Sequence, residues 1–263
     1  MKSRLPAVTL TILAALFLAG LSAANATVVT YIDLLNTTQT NTTYNNSMTN
    51  TVSSAGAVGG FRTLTLTSTG NDINDETTTL RVLTNAAGGG PRMVLSSGND
   101  VTANFEMAWG GATGTGFAPV DFTGALGTNF SLIKSTLNFS LRTVDLASSY
   151  TWTFRDTNNV TATYASTFPV NNAPSPPISY AISLADFANG GTIDWSSINF
   201  ITLSGGGVPS LDLVLGAPFS VTAAPVPEPG TWAAAGLLLL TAVYIRWRRS
   251  RGAASQEEAP AAA

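Results

Sequence analysis

Strict alternation of apolar and polar residues limits this chain more than any other feature. From Val101 to Trp109 the apolar residues Val101, Ala103, Phe105, Met107 and Trp109 take every second position, with Thr102, Asn104 and Glu106 between them. Such a period places one set on a buried face and the other in solvent only if the segment is a strand. From Ile133 to Thr143 the inward set is expected to be Ile133, Leu137, Phe139 and Leu141, leaving Lys134, Thr136, Asn138, Ser140 and Arg142 outward. Tyr150 to Phe154 and Val160 to Tyr164 alternate likewise, and Asp156, Thr157, Asn158 and Asn159 between them read as a hairpin turn. Residues 61–67, 79–84, 92–96, 178–184, 198–203 and 211–215 supply further candidate strands. Many short strands joined by Gly, Asn and Pro turns predict an all-β domain, a β-sandwich or jelly roll.

Composition narrows the chemistry. The chain of 263 residues has no Cys and no His, which excludes Ser-His-Asp and Cys-His catalysis, thiolate or imidazole metal sites, and disulfide support. Residues 27–226 contain 33 Thr, and 6 Lys and Arg against 12 Asp and Glu. That net charge disfavours a nucleic-acid partner, and the threonines favour strands over helices. Residues 36–60 are nearly all Asn, Thr, Ser and Gly and are expected to form a long loop or a ragged edge strand. The proline-rich stretch 173–177 is expected to be a surface connector.

The two ends are addressed to a membrane. Lys2 and Arg4 precede an apolar run from Ala7 to Leu21, and Ala24 and Ala26 form an A-x-A site. This is the pattern of a secretory signal, residues 1–26, read by the Sec translocon and cleaved by signal peptidase after Ala26. At the other end, a helix from Gly230 to Trp247 would be about 27 Å long at 1.5 Å per residue, close to a bilayer's hydrocarbon core. Trp232 and Trp247 mark its interfaces. Arg246, Arg248, Arg249 and Arg251 place the C-terminus in the cytoplasm and everything before Gly230 outside. The expected organisation is a β-sandwich ectodomain over 27–224, one transmembrane helix within 225–249, and a disordered cytoplasmic tail over 250–263.

Val226, Pro227, Glu228, Pro229 and Gly230, followed by that helix and an Arg cluster, resemble the PEP-CTERM sorting signal. The resemblance covers Pro225 to Arg249. It implies recognition by a membrane-embedded exosortase, removal of the helix near the motif, and release or transfer of the ectodomain to the surface of a Gram-negative bacterium that makes exopolysaccharide. The Ala-rich extension from Ser250 to Ala263, with Glu257 and Glu258, departs from the family pattern. The two prolines hold Glu228 in extended backbone that can join neither a helix nor a sheet, which makes Glu228 the residue expected to be read. A second resemblance is confined to the end of the domain. Asp194 to Ile201, a Gly-rich turn at 205–207, and Leu211 to Leu215 are similar to the last strands of galactose-binding-type jelly rolls in carbohydrate-binding modules.

Candidate chemistry within the domain is sparse. Asp72, Asn74, Asp75 and Glu76 gather oxygen ligands of the kind Ca²⁺ accepts, but without the spacing of an EF-hand, so a solvated turn is the expectation and no cofactor is assigned. Glu106 lies on a strand face with no second carboxylate tied to it, as glycoside hydrolysis would need. Of the aromatics that could stack on a sugar, Trp109 and Trp152 fall on apolar faces. Tyr180 is a further candidate, and Trp195, beside a turn, is the better candidate among them, with no glycan contact assigned. Thr63, Thr65, Thr67 and Thr69 form a row like those of ice-binding surfaces, which any solvated strand also shows. The expected function is a non-enzymatic structural or adhesive protein of the cell surface and exopolysaccharide matrix. The alternative is a carbohydrate-binding module of jelly-roll type, with ice binding and glycoside hydrolysis behind it.

Overall fold

A computed structural model describes residues 27–70, 77–84, 90–127, 130–172 and 176–223, together with 236–237, 240–242 and 244–246. Residues Thr27–Ala224 form one compact unit. Its elements in chain order are β1 (Val28–Asp33), β2 (Gln39–Thr43), β3 (Ser47–Ser53), β4 (Phe61–Thr69), β5 (Thr78–Leu83), β6 (Arg92–Ser96), β7 (Thr102–Trp109), α1 (Phe122–Leu126), β8 (Ser135–Val144), β9 (Ser148–Asp156), β10 (Thr161–Phe168), β11 (Ile178–Ser183), β12 (Ile198–Pro209) and β13 (Asp212–Ala223). One sheet has the order β11-β8-β13-β6-β5-β2, with β1 also paired to β13; the other runs β10-β9-β12-β7-β4-β3. The pairings between these strands are antiparallel. Only β3–β4, β5–β6 and β9–β10 pair as consecutive strands; the other neighbours are not consecutive, so the architecture is a β-sandwich with crossing connections.

The alternating residues do what their period requires. Val101, Ala103, Phe105, Met107 and Trp109 are all buried, as are Leu137, Phe139 and Leu141. Ile133 is a correction: it is 79% exposed, because β8 begins only at Ser135 after a turn in which the Lys134 and Ser135 amides donate to Ser131 O. Ser135 fills the buried slot. Residues 36–60 are likewise more ordered than their composition suggests, since β2 and β3 form within them. Asn41 makes this possible: its Nδ2 donates to Met48 O at 3.1 Å and to Leu64 O at 2.7 Å, tying β2 to β3 and β4 across the sandwich. Residues 205–207 are also not a turn. β12 runs through them, and Gly206 at φ 115° sits at a bulge against Asn104 and Ala103. The chain reverses instead at Ser210, φ 59°.

The predicted hairpin between β9 and β10 forms, with Asn159 at φ 63°. The buried Asp156 carboxylate organises it by accepting from the Asn158, Val160 and Asp194 amides at 2.8, 2.9 and 3.0 Å. Asp121 caps α1 by accepting from Gly124 N at 2.7 Å.

Aromatic rings fill the space between the sheets. Trp109 of β7 lies parallel to Trp152 of β9, centroids 5.8 Å apart, and Phe219 of β13 meets both edge-on. Beside them Asp33 of β1 and Arg62 of β4 form a fully buried ion pair at 2.9 Å. Asp33 also accepts from Trp109 Nε1 at 2.9 Å and from Leu35 N at 2.7 Å, while Arg62 donates to Gln39 Oε1 at 2.9 Å and to Thr37 O. Both carboxylate oxygens and all three guanidinium nitrogens therefore have a hydrogen-bond partner, the condition under which a buried pair is tolerated.

In the segment expected to cross the membrane, Gly236, Leu237, Leu240, Thr241, Ala242, Tyr244, Ile245 and Arg246 are helical, and Thr241 Oγ1 donates to Leu237 O one turn back at 2.7 Å. The remainder of that segment lies outside the described residues. Among the described residues no helix is long and apolar enough to cross a membrane.

Removing either partner of the buried pair strands the other charge, so Asp33→Ala and Arg62→Met should each destabilise the domain by about 3–5 kcal/mol in urea titrations. The double variant should stay well below wild type, because Trp109 Nε1, Gln39 and Thr37 O would be left unpartnered. The pH dependence has two limbs. Hydrogen bonds from Ser196 and Ser197 hold the Asp194 carboxyl below the usual carboxylate range, so its contribution is complete above about pH 4 and is lost as pH falls through the lower folded value. Burial pushes the Tyr150 hydroxyl up to about 12, so its contribution is intact below about pH 10 and disappears as pH rises through 12. Thermal melts across pH should show Asp194→Asn flattening only the acid limb and Tyr150→Phe only the alkaline one.

Candidate functional site

Strand register decides which outward residues meet, and the two sheets carry different chemistry outside. On the six-stranded sheet one row crosses as Thr51, Thr63, Ala108, Thr202, Thr153 and Thr163, and the next as Thr49, Thr65, Glu106, Ser204, Thr151 and Ala165. The Thr63 to Thr69 run is thus the margin of a broad hydroxyl face. Its hydroxyls pair with one another: Thr51 with Thr63 at 2.8 Å, Thr49 with Thr65 at 3.1 Å, and Ser47 with Thr67 at 3.1 Å. Glu106 stands in its row between Thr65 and Ser204, with no other carboxylate in that row.

The seven-stranded sheet has a cleft. Three rows lead to it: Val29, Thr222, Thr136 and Ser183; Tyr31, Ser220, Asn138 and Ala181; and Arg92, Gly216, Ser140 and Ser179. Between Gly216 and Ser220 strand β13 leaves register, and the Ala217–Pro218 peptide there is cis. Proline has no N–H to give to a ladder, so the sheet is interrupted at that point. A cleft of ≈ 330 Å³ lies there, lined by Asn138, Ser140, Ser179, Tyr180, Pro218 and Ser220, with Phe139, Ala181 and Ala217 completing the wall.

The Asn138 side chain at the cleft is held in place. Asn138 Nδ2 donates to Thr136 O and to Thr222 Oγ1, both at 2.8 Å. Tyr180 stacks on Phe139 with centroids 4.7 Å apart and 3° between planes, and burial raises its hydroxyl pKa above the ordinary value. Tyr31, 48% exposed, stands on β1 next to Ser220. The Tyr180 ring packs inward, also meeting Tyr150 and Phe168, so on the outer face it is the exposed Tyr31 that offers aromatic surface near serine hydroxyls and an amide, a combination that suits a ring apolar on its faces and hydroxylated at its rim.

Other residues singled out by the sequence fall elsewhere. Trp195 is not a surface contact: it is 4% exposed, packs on Phe154 and Phe187, and donates from Nε1 to Gly190 O at 2.9 Å. The chain after Asp194 folds back over β9 instead of leaving a loop in solvent, so a Trp beside a turn becomes core. Trp109 and Trp152 are buried, as their alternation implied. Tyr180 lies on β11 at the cleft, but its ring packs inward on Phe139, Tyr150 and Phe168. Tyr31 carried no alternating pattern strong enough to mark it. Ala24, Ala26, Asp72, Asn74, Asp75, Glu76, Val226, Pro227, Glu228, Pro229, Gly230, Arg248, Arg249 and Arg251 lie outside the described residues, and Arg246 is exposed on the C-terminal helix. Among the described residues no group of three or more acidic side chains could hold a metal ion.

No protein-family model and no curated protein sequence matches the chain. Several solved structures match part or most of the chain at low similarity. A family 11 carbohydrate-binding module of a Clostridium thermocellum cellulosomal cellulase is 11% identical over 76% of this chain and 97% of its own, with a TM-score of 0.36. A family 30 carbohydrate-binding module of another cellulosomal cellulase of that organism is 14% identical over 75% of this chain and 98% of its own, with a TM-score of 0.38. An exo-beta-agarase is 14% identical with a TM-score of 0.39, but this chain spans only 22% of it, matched over 57% of the residues here.

Proposed function

We propose that this chain is an exported, non-catalytic β-sandwich that binds polysaccharide in the matrix around a bacterial cell. The observation that carries the reading is the cleft at the β13 interruption, where Asn138, Ser140 and Ser179 line an opening on the same outer face as the exposed Tyr31. A polymer of hydroxylated rings meets there both stacking surface and hydrogen-bonding groups, the two contacts that give sugars affinity in water. Glu106 lies apart from the cleft, on the outer face of the other sheet, without the paired carboxyl group of a glycosidase. A structural role in the matrix and a glycan-binding module are here the same activity.

Export and anchoring come from the ends of the chain. The basic and apolar N-terminus with Ala24 and Ala26 directs the domain through the Sec translocon. The Val226 to Gly230 motif, the apolar helix and Arg246, Arg248, Arg249 and Arg251 tether it to the inner membrane until an exosortase cuts near Glu228. The acidic loop from Asp72 to Glu76 remains a solvated turn in this reading, with Ca²⁺ as the alternative occupant.

Binding of the purified protein to exopolysaccharide from the producing cell tests the cleft. Tyr31→Ala and Asn138→Ala should each weaken it about tenfold, the scale of one stacking or hydrogen-bonding contact, while Thr65→Ala on the opposite face leaves it unchanged. Equal affinity for all three variants would remove the assignment. For sorting, replacing Pro227, Glu228 and Pro229 by alanine should leave full-length protein in the membrane fraction; release at the normal rate would refute the role of the motif.

A further inference from the structure

The sandwich closes its strand edges unequally. On the free side of β3, Asn50 O accepts from Gln39 Nε2 at 2.8 Å and Met48 O from Asn41 Nδ2 at 3.1 Å. The free side of β10 is covered by the chain after Phe187: Thr163 and Ala188 exchange backbone hydrogen bonds at 3.1 and 2.8 Å, and Asn189 Nδ2 donates to Thr161 O at 3.3 Å. β11 ends the other sheet, and among the described residues its far side has no such cover.

Register fixes which groups of β11 are left over. The Ser97 amide donates to Leu211 O and the Ala217 amide to Pro91 O, both at 3.2 Å, which turns Leu211, Ala217 and the odd-numbered residues between them toward β6. Gly216 therefore directs its backbone groups at β8, where Ser140 faces it, and the alternation of an antiparallel ladder turns Leu141 and Phe139 toward β11. Their partners are Ile178 and Tyr180. The N–H and C=O groups of Ser179 and Ala181 consequently point away from β8, and both residues are exposed. From Ile178 to Ser183 the strand has no charge, proline or register shift, the features that blunt an edge.

Exposed apolar side chains flank it at both ends. Ile178 begins the strand, and Val170 adjoins Asn171, which exchanges two hydrogen bonds with Val144 on the same side of β8. Ile133 stands at the other end, where its carbonyl accepts from Ser183 Oγ at 3.4 Å.

From this geometry we infer that β11 is a contact between two copies of this chain, paired antiparallel about a two-fold axis at Tyr180. Ser179 of one copy then faces Ala181 of the other, and each such pair exchanges both of its backbone hydrogen bonds. Outward residues meet outward residues, so no side chain is forced to the wrong face. The edge recognises an extended, uncharged strand of matching register, and an identical edge supplies one; the two-fold closes the contact after two copies. Ser179 and Ala181 also line the cleft. The pairing thus brings two clefts onto one continuous outer face, where a single polymer engages both and gains from their linkage. The contact itself does not depend on the polysaccharide reading.

The contact is smaller than the roughly 800 Å² per partner of a standard interface, so association is expected at micromolar protein. Sedimentation equilibrium of the purified protein from about 1 µM to 1 mM should show monomer passing into dimer. Ala181→Pro removes an N–H that faces away from β8, a position where an edge strand accepts proline, and should weaken the dimer about tenfold or more. Ile178→Lys leaves every backbone group in place, sets a charge in the contact and should do the same, while Thr49→Lys on β3 leaves the dimer intact. Because the chain has no cysteine, mixed Ser179→Cys and Ala181→Cys proteins under mild oxidation should link to each other in preference to their own kind. A monomer at every concentration overturns the inference. So does a dimer that survives Ala181→Pro and Ile178→Lys, or cross-linking without the mixed preference.

Discussion

The buried pair of Asp33 and Arg62 is the constraint on which the sandwich depends. Asp33 belongs to the seven-stranded sheet and Arg62 to the six-stranded one, and their shared network takes in Trp109 from one sheet and Gln39 from the other. Apolar packing alone tolerates sliding of one sheet over another. A charge pair with a partner at each nitrogen and oxygen does not, because displacement leaves an ion uncompensated in a medium that cannot solvate it. The pair thereby fixes β1, the first strand, against β4 and β7, and the Trp109–Trp152 stack grows from that fixed point. In a chain without cysteine this is how the first strand is fastened.

The same economy explains the outer faces. Threonine satisfies the β preference of a strand without adding apolar surface, and on β3 and β4 the hydroxyls bond across the strands instead of offering themselves to a partner. The other sheet differs because β13 is interrupted at Ala217–Pro218. Ser140, Ser179 and Ala181 face an opening there, and the exposed Tyr31 stands on the same outer face. One irregular strand separates a passive face from a face with a cleft.

Much of the fold was legible because alternation is local. The inward residues of β7, the hairpin at Asp156, and the outward placement of Asn138, Ser140 and Arg142 all follow from period two. What was illegible depended on partners remote in sequence. Trp195 looked like a surface aromatic until residues 187–195 folded over Phe154. The Asn and Thr stretch of β2 and β3 looked too polar to order until Asn41 reached carbonyls at Met48 and Leu64. Arg142 read as one more solvated charge on a strand face, whereas it crosses Gly216 toward Gly90, a contact between residues more than fifty positions apart.

The sequence by itself determined that the body of this protein is a sandwich of short antiparallel strands without disulfides, and it supplied the two terminal patterns that bear on export and sorting. Those are properties of composition, period and contiguous motifs. Only the tertiary structure decided which outward residues share a surface, because register couples strands far apart in the chain. It moved the candidate site from Trp195 to the cleft on the outer face of β8, β11 and β13, and it placed the Arg142 side chain over Gly216. Burial and register are set by the packing of two sheets, and no local pattern encodes them.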